Sequence, residues 1–165
     1  MYRRKIIPIV ILLISILVLT GCEFTKSLSF KLDNGDKVKV IVKDLNDWKL
    51  KKGDNGFRLI KDEAEITGEF AYIGWDELTS GVNNGEYSAF PLIMEGDNAF
   101  LFGSANNTNG GSLICKVSDS ICSNVYFDDV KDIEEVLPHL SFEVDGTEVF
   151  PNNGLKPNTL TPTEP

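Results

Sequence analysis

Five Asn-Gly pairs, Asn34-Gly35, Asn55-Gly56, Asn84-Gly85, Asn109-Gly110 and Asn153-Gly154, interrupt the chain without a fixed period. They constrain its fold more than any other feature, because these residues accept the positive φ angles that a tight hairpin turn demands. The first pair is flanked by strict alternation. Phe30 and Leu32 bracket Lys31, then Val38, Val40 and Val42 alternate with Lys37, Lys39 and Ile41, which predicts a β-hairpin with one face buried.

Further strands are expected near residues 48–51, 57–61, 65–72, 87–94, 100–104, 113–117, 121–127 and 140–144, with a short return at 147–150. Pro91 places the 87–94 strand at a sheet edge or splits it at a bulge, since proline donates nothing to the ladder. Residues 73–80 read as a short helix around Trp75 and Leu78. A better helix spans 129–137, where Asp128 or Asp129 caps the start and Val130, Ile133, Val136 and Leu137 share a face before Pro138 ends it. The expected fold is α+β, a mainly antiparallel sheet of about six to eight strands built from hairpins, with one or two short helices on one face. With 42% hydrophobic and 25% charged residues in 165, one domain is expected.

The start of the chain reads as an address. Met1-Tyr2-Arg3-Arg4-Lys5 is basic and residues 6–20 are apolar apart from Pro8 and Ser15, the layout of a secretory signal. Fifteen helical residues cover only about 22 Å of a hydrocarbon core roughly 30 Å thick, which disfavours a permanent span. The run ends in Leu19-Thr20-Gly21-Cys22, which resembles the lipobox of bacterial lipoproteins. That resemblance implies cleavage between Gly21 and Cys22 and a diacylglyceryl group on Cys22, so that the protein is a lipid-anchored partner of the cell membrane on its extracytoplasmic face, or of the outer membrane in a two-membraned cell. The expected layout is a signal peptide over 1–21, a tether over 22–26, one domain over 27–150 and a disordered Pro-, Asn- and Thr-rich tail over 151–165.

From Cys22 onward 13 basic residues face 25 acidic ones, a net charge of -12. Such a field repels phosphate backbones, so nucleic acid is excluded as a partner. An exported protein meets conditions in which disulfides persist. If Ser118-Asp119 forms a two-residue turn, Cys115 falls opposite Cys122 and a disulfide follows; the alternatives are two free thiols and a metal pair, the last poorly served by six intervening residues with no neighbouring Cys or His.

No catalytic residue is expected. His139 is the single histidine and reads as a cap or surface residue. Gly103-Ser104-Ala105 lacks the second glycine of a nucleophile elbow, and the neighbours Glu134-Glu135 and Asp128-Asp129 read as solvated charge and capping. Asp33-Asn34-Gly35-Asp36 and Asp54-Asn55-Gly56 offer oxygen ligands without the twelve-position loop of a calcium site, so they read as turns and no metal or cofactor is expected. Trp48, Trp75, Tyr72 and Phe70 suit either a ligand groove or the core, and the core is the simpler reading.

The Leu-x-Asn-Gly hairpin, the Trp48-Lys49-Leu50 strand, the Gly68-Glu69-Phe70 strand and the helix running into Leu140-Ser141-Phe142 resemble small surface lipoproteins of Gram-positive bacteria. Asp47-Trp48-Lys49-Leu50 and Asn55-Gly56-Phe57 more loosely resemble the sheets of PsbP/Mog1-like domains. The expectation is a non-enzymatic envelope binding or assembly module with a protein, peptide or wall ligand; the alternative is an inhibitor or immunity lipoprotein that captures a cationic lytic enzyme or toxin.

Overall fold

A computed structural model describes residues 24–158, and the expected α+β, mainly antiparallel fold is what it shows. The described residues form twelve strands: β1 (Thr25–Lys31), β2 (Lys37–Lys43), β3 (Lys49–Lys52), β4 (Gly56–Lys61), β5 (Ala64–Ala71), β6 (Leu92–Glu95), β7 (Ala99–Gly103), β8 (Gly111–Lys116), β9 (Cys122–Phe127), β10 (Leu140–Val144), β11 (Thr147–Val149) and β12 (Lys156–Pro157). Helix α1 (Trp75–Asn83) lies between β5 and β6, and α2 (Val130–Val136) between β9 and β10. The strands divide between two sheets. One has the order β1-β2-β10-β11, the other β12-β6-β7-β8-β9-β5-β4-β3.

Alternation decides what lies between the sheets. Val38, Val40 and Val42 of β2 are fully buried and meet Phe57, Leu59, Ile66, Leu113 and Val125 of the larger sheet, with Leu140 and Phe142 beside them and Ile133 and Val136 of α2 closing one end. Gly68 makes room within this core, because a Cβ there would overlap the Phe57 ring. The outer face of the small sheet carries charge in pairs. Lys39 reaches Glu143 at 3.3 Å and Lys43 reaches Glu148 at 2.9 Å, while Ser141 donates its hydroxyl to the same Glu148 at 2.5 Å.

A second, smaller cluster sits on the opposite face of the large sheet. There Trp75 stacks on Phe100 at 5.3 Å and Tyr87 leans on Phe102 at 5.8 Å, with Leu78 and Cys122 beside them. The two helices thus cover different faces rather than one.

Several expectations are corrected in detail. Asn34-Gly35 turns β1 into β2, with Gly35 at φ +95°, but Asn84-Gly85 ends α1 instead of turning a hairpin: Gly85 takes φ +77° and Glu86 N–H returns to Gly81 O at 3.0 Å, a helix C-cap. The strand expected over 87–94 shortens to β6 with a register shift between Leu92 and Met94, as Pro91 requires. The tail is structured through Asn158: Pro151 is buried, Leu155 packs on the main core and β12 pairs with β6. The start is ordered sooner too, with β1 beginning at Thr25 inside the expected tether.

Candidate functional site

Among the described residues, the cluster under α1 covers the outer face of the large sheet over β6, β7, the neighbouring part of β8 and the first residue of β9. Across β4, β5 and the rest of β9 that face is open, and alternation fills it with polar side chains. Register aligns Arg58 with Thr67, Thr67 with Tyr126 and Tyr126 with Ser112, while Glu69 pairs across with Asn124. A trough of about 640 Å³ lies over Thr67, Tyr126 and Ser112, with Phe90, Glu63, Glu65 and Asp128 in its walls. It continues past Thr67 into a recess of about 300 Å³ beside Arg58, Gly56 and Glu69, which adjoins an end groove of about 500 Å³ under Asp33, Lys52 and Tyr72.

Two aromatic rings stand out in this polar setting. Tyr126 is 46% exposed and Phe90 49% exposed, enough apolar surface to stack on a ligand. Arg58 grips Glu65 with both Nε and an Nη at 2.5 Å, and that guanidinium holds the Glu65 carboxyl below its ordinary range. Glu63 and Asp128 have no such cation among the described residues, so the trough carries uncompensated carboxylates.

The structure disperses the other candidates. Cys22 and Gly21, the expected lipid-attachment and cleavage residues, lie outside the described residues. The hairpin holding Cys115 and Cys122 has a three-residue loop: Val117 and Ser118 N–H both return to Ile121 O at 3.0 Å. Cys115 therefore faces Ser123 and Cys122 faces Lys116, one residue off the expected register, which puts the thiols on opposite faces of the sheet. Both are free and buried in the structure, and burial pushes the Cys122 thiol up to about 11 and the Cys115 thiol well above its ordinary value.

His139 sits on the turn after α2 with Nδ1 2.8 Å from Lys43 O, and Asp129 caps α2 by accepting from Lys131 N–H at 2.9 Å. Glu135 is held by Lys61 at 2.7 Å. Asn34 and Asp36 spend their side-chain oxygens on their own turn and on Tyr72. Trp48, Trp75 and Phe70 belong to the core, whereas Tyr72 is half-exposed at the end groove. Among the described residues no group of three His, Cys, Asp or Glu is placed to hold a metal ion, and no helix is long and apolar enough to cross a membrane.

Sequence reasoning missed Tyr126 and Phe90. Alternation with Val125 and Phe127 was a sufficient signal for the first; nothing local marked the second, which stands on a turn. Comparison with family models, with curated proteins and with solved structures returns no match.

Proposed function

We propose that this chain is a lipid-anchored, non-enzymatic binding module of the cell envelope, held at the membrane through Cys22 and receiving a protein, peptide or wall ligand in the trough across β5, β9 and β8. The observation that supports the trough is the pair of exposed rings, Tyr126 and Phe90, on an otherwise polar sheet face. The sheet presents the Tyr126 ring at little cost in conformational entropy, and Phe90 stands beside it on the turn before β6. The anchor rests on the lipobox sequence alone.

A second reading is favoured by the carboxylates Glu63 and Asp128 in the trough and Glu69 in the recess beside it. An inhibitor or immunity lipoprotein that captures a cationic enzyme would use this charge to steer encounter, and its association would slow as salt rises.

The test is retention of envelope components by the chain from Glu23 to Pro165, compared with Tyr126→Ser and Phe90→Ser variants of unchanged circular dichroism. The expected outcome is one class of retained component that both variants lose. Retention unaffected by either substitution removes the trough from the reading. Capture of a single basic enzyme, with an association rate falling about tenfold or more between low and moderate salt, selects the inhibitor. For the anchor, the native protein's amino-terminal peptide is expected to begin at Cys22 and carry acyl mass.

A further inference from the structure

The described chain begins already fastened to the domain. Phe24 donates its N–H to Asp44 Oδ1 at 3.2 Å, and its carbonyl accepts from Asp44 N–H at 2.9 Å. Thr25 opens β1 at once, paired with Lys43. Two residues on, the Lys26 ammonium gathers the carbonyls of Leu45, Asn46 and Trp48, which ties the start of β1 to the loop between β2 and β3. A single residue, Glu23, separates Phe24 from Cys22, so their Cα atoms lie at most about 7 Å apart whatever path the chain takes.

We infer that the domain is seated directly on the bilayer by the end that carries Phe24, Asp44 and Asn46, with no spacer between lipid and fold. This rests on the reading of Cys22 as the lipid-bearing residue. The surface there suits a headgroup layer: Phe24 is 51% exposed, an apolar ring of the kind that enters a membrane interface, while the Lys26 ammonium, 5.0 Å from its centroid, stays on the loop carbonyls. Asp44 and Asp47 stand exposed beside them, which fits zwitterionic headgroups and opposes anionic ones.

Strand direction then orients the rest of the molecule. β1 leaves the seat, and its turn into β2 lies at the opposite end, about 20 Å away at roughly 3.3 Å per residue. The β3–β4 turn is at that far end as well, since Lys26 holds Trp48 at the near end of β3 while Lys52 lies over the Phe30 ring at the other. The end groove beside Tyr72 therefore faces away from the membrane, and the trough runs up the side between the two ends.

The lipid-bearing full chain in phosphatidylcholine vesicles with headgroup spin-labelled lipid tests this, with a bimane probe at Asn46→Cys or Asn55→Cys. Cys115 and Cys122 are buried and stay silent. Flotation with the vesicles is read first, because failure to float overturns the anchor and the seat with it. In floating protein, quenching at Asn46→Cys is expected to exceed that at Asn55→Cys several-fold, and a flexible Gly/Ser insert of about 20 residues between Glu23 and Phe24 is expected to abolish the difference. Equal quenching at both positions without the insert overturns the seat while leaving the anchor standing.

Discussion

Gly68 shows how one side chain's absence shapes this core. The Phe57 ring occupies the space a Cβ would take, directly across the strand pair. Gly68→Ala is expected to destabilise the domain by about 1–3 kcal/mol, the usual cost of overpacking, read as a lower urea midpoint. Glu148 makes a pH-dependent contribution. The Ser141 hydroxyl and then Lys43 hold its carboxyl below the ordinary 4.5. A depressed folded value means that the stabilisation is present above that range and is lost as pH falls through it and below. Glu148→Gln is thus expected to be the less stable protein at pH 7 and to lose less than the parent between about pH 5 and 3, as urea midpoints across that interval will show. Individual residues were also where the sequence read most clearly: Val38, Val40 and Val42 declare their buried face by spacing alone, and the Asp128-Asp129 pair offered a cap that falls on Asp129.

At the scale of elements the sequence was less explicit. Hairpins with local signals, such as Asn34-Gly35 between β1 and β2, were legible because turn and alternation agree. The β8–β9 hairpin was not, because nothing in Ser118-Asp119-Ser120 distinguishes a two-residue loop from a three-residue one, and one residue decides which faces the cysteines take. Consequently, neither thiol is expected to react with iodoacetamide in the folded protein, and both are expected to react once guanidinium unfolds it without reductant. Intact mass counts the adducts; two protected sulfurs in the unfolded chain would establish a bridge instead. The tail eluded composition for a related reason. Its polar residues signal no strand, yet Asn158 donates its N–H to Ile93 O at 2.8 Å and Leu155 reaches the core, so docking on β6 orders it.

The division into two sheets was illegible, since period-two alternation tells which way a side chain faces and not which distant strand lies alongside. Only pairings such as Val40 with Phe142 and Thr67 with Tyr126 settle it, and these partners lie far apart in the chain. The open trough follows from the same pairings, which is why its location was hidden although Tyr126 itself pointed outward. Trp48 belongs to the cluster between the sheets and Trp75 to the cluster on the other face, yet the same eight-stranded sheet supports both. Unfolding is accordingly expected to be one cooperative transition, with Trp75→Phe, Trp48→Phe and far-UV signals giving coincident curves; an earlier transition for Trp75 would mark α1 as an independently melting unit. The pairing of β2 with β10 also has a consequence for timing. A chain that emerges amino-terminus first can form the β1–β2 hairpin early, but β2 waits for a neighbour supplied about a hundred residues later, as the 104-residue separation of Lys39 and Glu143 illustrates. Until then the small sheet stays unfinished, and β2 keeps one edge without its strand.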